Sequence, residues 1–227
     1  MDSIIQEEFD HRQDDIELII ELVEKLSEGS TLDILNDTNS EIETFNYQDR
    51  LINTLSSVIC LMTYNQIEST MRGCLEALYD DISDNQVSYE ALKEDIQKEV
   101  LTGILKKYDT GKSLHSSVGS NLHMNAPAVS LNIRKVFNGN IDSQKVYDIK
   151  NTYGVNVLAD SAYRNGVDIT SFKDARNDLA HGNISFSEYG DNNPYSDVIS
   201  KSKRVTGYMN SVISAFDTYI DEQKYKS

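Results

Sequence analysis

Apolar residues recur every three or four positions along most of this chain, and only two prolines interrupt its 227 residues. That pairing constrains the fold more than any other feature. A helical period with few breakers means long helices that bury one face against each other. Ile4, Ile5, Ile16, Ile19, Ile20, Val23 and Leu26 predict an amphipathic helix over 3–28, closed by Gly29. A loop rich in Ser, Thr, Asp and Asn follows at 30–40. Leu51, Leu55, Val58, Ile59 and Met62 mark the buried stripe of a second long helix over 48–79. Ser88 is the expected N-cap of a third, running through Lys107.

The middle of the chain is less regular. Gly119, Pro127 and Gly139 stand among small polar residues in 114–140, which reads as loops with room for one short helix. Asp142 is placed to cap a helix ending at Tyr153, before Gly154, and Thr170 to cap one over 171–181, before Gly182. Residues 189–195 read as turns, and Val198, Val205, Met209, Val212, Ile213, Phe216 and Ile220 carry a last long helix over 196–224. The expected fold class is therefore all-α. It is an antiparallel helical bundle with an irregular insertion between the third helix and the helix at 171–181.

Charge divides the chain. The net charge is −16, which taken whole argues against a protein that coats nucleic acid or an anionic membrane. Residues 1–50, however, hold 15 acids against Arg12, Lys25 and Arg50, a net −12. The remainder is close to neutral, and 98–150 holds eight bases against four acids. The main body is not hostile to a polyanion. We accordingly separate an acidic N-terminal helix and loop, 1–44, from a main helical domain, 45–227.

Cys60 and Cys74 stand about 21 Å apart along one helix, too far for a disulfide, and read as buried thiols. His115 and His123 lie eight apart with no acidic ligand pattern, so no metal site is expected, and His11 is expected to be exposed. Gly111-Lys112-Ser113 lacks the upstream glycine and preceding strand of a phosphate-binding loop. The N-terminus has neither the basic start nor the apolar run of a signal peptide, and no segment approaches membrane-spanning length. The expectation is a soluble cytoplasmic protein without a cofactor.

One hexapeptide carries chemistry: Arg176-Asn177-Asp178-Leu179-Ala180-His181, followed by Gly182-Asn183. With seven arginines and four histidines in the chain, an Arg-x-x-x-x-His spacing is weak evidence alone. Its placement adds more. Asn177 and His181 lie one turn apart on a helix, whereas Arg176 is about 140° round from His181. One helix does not converge the two, but a long arginine or a second copy of the helix would help. His181 sits in the last turn, where the helix dipole favours a cation. An arginine to hold a phosphate and an imidazole to move a proton are the parts of metal-free phosphodiester chemistry.

The string from Arg176 to Glu188 resembles the signature of HEPN domains, and in particular a bacterial branch found in defence and toxin–antitoxin loci. Tyr64-Asn65-Gln66-Ile67-Glu68-Ser69-Thr70-Met71-Arg72, followed by Leu75-Glu76-Ala77-Leu78-Tyr79, is similar to the second helix of that group. The resemblance covers most of 45–225. It implies a helical bundle that dimerises so that the arginine and histidine of both protomers meet in one groove. It also implies a metal-independent endoribonuclease in stress, toxin–antitoxin or phage defence, which uses the substrate's own 2′-OH as nucleophile.

Carried onto this chain, His181 acts as general base or acid, and Arg176 binds the scissile phosphate and stabilises charge in the transition state. Asn177 orients substrate or His181. RNA is the implied substrate, a second copy of the chain the implied partner, and an antitoxin or defence-complex protein a possible restraint. Some HEPN toxins carry a tyrosine two residues after the histidine that an antitoxin modifies. Here Asn183 occupies that place and the next tyrosine is Tyr189.

On the second helix Asn65, Glu68, Ser69 and Arg72 line one face, opposite Ile67, Met71, Cys74 and Leu78. Because the four continue the stripe of Leu55, Val58 and Met62, they mark a substrate-binding or supporting surface, a partner surface or an internal polar network. The thirteen tyrosines, Tyr64 among them, read as core or rim, with one or two free to stack bases. The alternative to an enzyme is a non-catalytic nucleotide- or protein-binding subunit of a larger system. The acidic segment would then mimic nucleic acid or dock a basic partner; separately, it could fold over the groove of an active enzyme and autoinhibit.

Overall fold

The computed structural model describes residues 4–29, 33–35, 42–44, 48–108, 111–119, 121–132, 136–137 and 139–227. Arg134 and Lys135, counted above among the bases of 98–150, lie outside these residues, as does the Lys112 side chain. The described helices are α1 (Ile4–Ser27), α2 (Gln48–Asp84), α3 (Glu94–Lys107), α4 (Gly111–Val118), α5 (Leu122–Ser130), α6 (Ser143–Tyr153), α7 (Ile169–His181), α8 (Phe186–Asn192) and α9 (Tyr195–Asp221). Short 3-10 turns stand at Tyr89–Ala91 and Ser161–Gly166. The 30–40 segment is not wholly a loop. Strands β1 (Asp33–Leu35) and β2 (Ile42–Thr44) pair antiparallel, with Asp33 opposite Thr44.

The fold is an all-α bundle centred on α2. Gln66 donates to the Phe9 carbonyl at 3.3 Å and to Gln13 at 3.1 Å, while Gln48 reaches the Leu26 carbonyl, so α1 runs antiparallel to α2. Thr63 meets Ser202 at 2.8 Å and Tyr225 meets Asp81, so α9 runs beside α2 in the same direction. Phe9, Ile16, Ile20, Val23 and Leu26 place α1 in the same continuous core as α2 and α9.

The buried face of α2 differs from the one its apolar spacing predicts. Leu51, Leu55, Val58 and Met62 are half-buried, while Ile52, Ser56, Ile59, Cys60 and Thr63 turn inward. Helices pack on several sides of α2, so one apolar stripe cannot describe it, and small hydroxyl residues fill the closest crossings. Ser57 donates to the Phe186 carbonyl at 2.6 Å, and a Cβ on Gly190 would stand 2.1 Å from the Asn53 carbonyl oxygen. Only glycine permits that approach of α8 to α2.

Several boundaries also shift. Ser88 precedes only the 3-10 turn, without a side-chain cap bond, and does not start α3, because Leu92 bridges to Lys226 and Lys93 N–H donates to the Tyr225 carbonyl, holding the chain extended until Glu94. Among the described residues, 114–140 hold the end of α4, all of α5 and a further helical residue at Val136, rather than one short helix. The 189–195 turns give way to α8, started by a capping box between Ser185 and Glu188. Asp142 does cap α6, accepting from Lys145 N–H at 2.8 Å, and Gly154, like Gly182, is left-handed at a helix C-terminus. Thr170 lies inside α7 and does not cap it; its hydroxyl meets Ser143 at 3.0 Å.

Candidate active site on the motif helix

Helix α7 is fixed first at its N-terminal end. The buried Asp168 accepts from Arg204 Nε of α9 at 2.7 Å and from Arg164 at 3.4 Å. Ser143, the first residue of α6, bonds the Gly166 carbonyl at 2.8 Å as well as Thr170. Phe172, Ala175 and Leu179 then bury one face of α7, which commits Arg176 and Asn177 to the border of the core.

Arg176 is half-buried. Its guanidinium carbon lies 5.6 Å from the centre of the Tyr64 ring, within cation–π range. Nη1 donates to Asn177 Oδ1 at 3.1 Å, and Asn177 Nδ2 donates to Asn140 Oδ1 at 2.9 Å. Tyr64 has no exposed surface, and its hydroxyl accepts from Ile141 N–H at 3.0 Å. Burial raises the Tyr64 pKa, with Glu68 adding to the rise and Arg176 and Lys173 opposing it. The phenol is thereby kept neutral. Gly139 passes directly over the arginine at φ +77, and a Cβ there would stand 3.3 Å from Arg176 Nη2.

His181 is exposed in the last turn of α7, and among the described residues it makes no hydrogen bond or ion pair. Gly182 follows at φ +69 with open space around it. Asn183 donates to Asp178 at 3.1 Å. Tyr189 is half-buried beside Cys60, and burial raises its pKa. Asn177 points to Asn140, on the arginine side of the helix.

Asn65, Glu68, Ser69 and Arg72 are brought together, but around Arg12 of α1, in a recess of about 400 Å³ that neither Arg176 nor His181 lines. Asn65 is exposed and the other three half-buried, so they form a surface stripe and not a buried network. Arg72 pairs with Glu68 at 3.1 Å and Arg12 with Glu8 at 3.4 Å. Ile67, Met71, Cys74 and Leu78 occupy the buried face as expected. Tyr64 joins the two places: it immediately precedes Asn65 in α2, lies under Arg176, and feels the Glu68 carboxylate.

Sequence reasoning missed Gly139, Asn140 and Lys173 as neighbours of the motif. Lys173, three residues before Arg176, pairs with Asp174 at 2.8 Å and with Asp142 at 3.9 Å. Its spacing of three from Arg176 was a usable signal. Asn138-Gly139-Asn140 announces a turn, but nothing in the sequence says which helix that turn covers. Cys60 and Cys74 are buried free thiols. Burial pushes the Cys60 pKa up to about 12, and burial with Asp217 nearby raises that of Cys74. Among the described residues no three His, Cys, Asp or Glu side chains gather as metal ligands would, and no helix is long and apolar enough to cross a membrane. His123 pairs with Glu90, and His11 is exposed.

No curated protein and no solved structure matches the chain. One family does, over residues 1–225, a span that takes in α1 as well as the motif helix. With its helical bundle, the chain belongs to the HEPN_MAE_28990-like HEPN family.

Proposed function

We propose that this HEPN protein is a metal-independent endoribonuclease that works as a homodimer in the cytoplasm, in stress, toxin–antitoxin or phage defence. The observation that carries the reading is the asymmetry of α7. Arg176 is held at the edge of the core without a carboxylate partner among the described residues, while His181 projects from the other side of the same helix. Two copies of α7 meeting in one groove would set the arginine of one beside the histidine of the other.

In that groove Arg176 binds the scissile phosphate. His181 of one protomer takes the 2′-OH proton as the 2′-oxygen bonds to phosphorus. As the bond from phosphorus to the 5′-oxygen breaks, His181 of the partner subunit delivers a proton to the leaving oxygen. The products are a 2′,3′-cyclic phosphate and a 5′-OH. Purified wild type should cleave RNA in the presence of EDTA, and Arg176→Ala and His181→Ala should each lose cleavage by about 10²–10⁴-fold. Undiminished cleavage by His181→Ala, or inhibition by EDTA, would sink the proposal.

A second reading, a non-catalytic subunit that docks a basic partner, rests on α1. Its outer face presents Glu7, Glu8, Asp10, Asp14, Asp15 and Glu17 to solvent or to its border. Growth arrest by the wild type and not by His181→Ala favours the nuclease; equal effects of the two favour the binding subunit. Deleting 2–40 is a poor test of autoinhibition, because it removes the core residues of α1.

A further inference from the structure

Four described arginines carry a carboxylate: Arg12 on Glu8, Arg72 on Glu68, and Arg164 and Arg204 on Asp168. Arg176 is held differently. Its described contacts are a buried aromatic face and a side-chain amide, and a Cβ on Gly139 would stand 3.3 Å from its Nη2. Arg50 also lacks a carboxylate among the described residues, but it is exposed in the first turn of α2. The holding groups around Arg176 fix direction, and none among the described residues is a carboxylate. One of five guanidinium N–H donors is taken by Asn177, and the fork geometry of the rest suits a phosphate.

We infer that Tyr64, Gly139 and Asn140 are positioning residues that clamp Arg176, with Asn177 as the link, an inference that rests on the proposed nuclease reading. Tyr64 serves twice. Its ring is the platform under the guanidinium, and its hydroxyl ties Ile141, hence the 139–141 turn, to α2. Gly139 lets that segment lie close to Nη2; a Cβ there would stand 3.3 Å away and push the guanidinium aside by a few tenths of an ångström. Asn140 then orients the Asn177 amide so that its oxygen faces Nη1. On this account Asn177 acts through Arg176 rather than on His181. The clamp also explains why the arginine and histidine ends of one helix can work as separate units: each is placed by different neighbours.

The test uses the full chain and compares Asn140→Ala, Tyr64→Phe, Tyr64→Leu and Arg176→Ala on a labelled random-sequence RNA. NMR of the arginine side-chain nitrogens is recorded in parallel. Asn140 is exposed, so its truncation leaves the core intact. We expect Asn140→Ala and Tyr64→Leu to lower kcat by about 10–100-fold, with KM moved less, as for a misplaced catalytic group. Tyr64→Phe, which keeps the ring, should retain more activity than Tyr64→Leu. In an Arg176→Lys background Asn140→Ala should cause no further loss. The ring-shifted Arg176 resonance of the free protein should move toward that of an exposed arginine in Asn140→Ala and in Tyr64→Leu. If both variants keep wild-type kcat and an unmoved Arg176 resonance, the clamp is wrong. If the resonance moves as expected but Arg176→Ala still cleaves RNA, the clamp stands and the nuclease reading fails.

Discussion

The two ends of the motif on α7, Arg176 and His181, make a useful contrast. At Arg176 the helix is bordered by α2, by the 139–141 turn and by Asn177, and each contact sets the direction of the guanidinium. Five residues on, His181 ends the helix in solvent with no partner among the described residues. Both residues belong to one motif, yet among the described residues one is held by neighbours and the other is not. The difference teaches that the arginine is directed by contacts that also help to hold the fold, while the histidine has none of these among the described residues. In the nuclease reading its partners are the second copy and the RNA.

The largest expected effect breaks or confirms this contrast directly. Arg176→Ala and His181→Ala should both abolish cleavage, yet only Arg176→Ala should lower stability, by about 0.5–1 kcal/mol for the lost cation–π contact. Thermal unfolding beside an RNA cleavage assay separates the two, and an equal stability loss at His181 would contradict its exposed placement.

Alkaline pH should act on the core, including the tyrosine under Arg176. Tyr64, Tyr79, Tyr153, Cys60 and Cys74 have raised pKa values in the folded chain, in each case chiefly through burial. Their ordinary values are 10.0 for tyrosine and 9.0 for cysteine. A proton held more tightly in the folded state gives stability that is complete below the unfolded value and is lost as pH rises toward the folded one. Urea denaturation should therefore show a flat contribution from these groups up to about pH 8.5, then falling stability through pH 10 and above. In the same flat region both thiols should resist alkylation until the chain unfolds. Rapid modification of native protein at neutral pH would contradict their burial.

The two flanking glycines sharpen the comparison at smaller scale. Gly139 and Gly182 are both left-handed, so alanine at either costs about 1–2 kcal/mol of backbone strain. A methyl on Gly182 meets open space, whereas one on Gly139 stands 3.3 Å from Arg176 Nη2 and must displace the guanidinium slightly. Gly139→Ala should thus be the more destabilising in chemical denaturation, and should lose cleavage beyond what its stability explains. The smallest effect is expected on the α2 stripe. Arg72→Ala removes a half-exposed i,i+4 pair worth about 0.2–0.5 kcal/mol. A drop in RNA affinity in a binding assay, despite that small stability cost, would extend the substrate path along Asn65, Glu68, Ser69 and Arg72; unchanged affinity would confine it to α7.

The helices were legible where periodicity and punctuation agreed. Gly29, Asp142, Gly154 and Gly182 mark real ends because capping is a local matter of a few backbone groups. Ser185-x-x-Glu188 is an equally local helix start, and the helix it opens runs through Asn192, into the 189–195 segment whose composition reads as turns. Ser88 failed for a different reason: Leu92 and Lys93 pair with the C-terminal residues Lys226 and Tyr225, and no local pattern announces a distant strand-like bridge. The face of α2 failed because its burial comes from α1, α7, α8 and α9 together. A spacing rule assumes one neighbour.

For the candidate site, the amino-acid order alone carries the motif, its place in the last turns of a helix and the angular gap between Arg176 and His181. It also carries the segregation of negative charge into the first fifty residues. These follow from the fixed geometry of the helix and from counting. What α7 meets was not contained there. That Tyr64 lies beneath Arg176, that Gly139 passes over it, and that Asn140 turns Asn177 toward the arginine all depend on how α2, α6 and α7 pack. The same packing made the acidic helix α1 a core element, its apolar stripe buried against α2 and α9 while its carboxylates stay outside. Local sequence fixes dihedral angles and caps over a few residues, whereas these contacts join residues far apart in the chain and exist only once burial of apolar surface has brought their helices together.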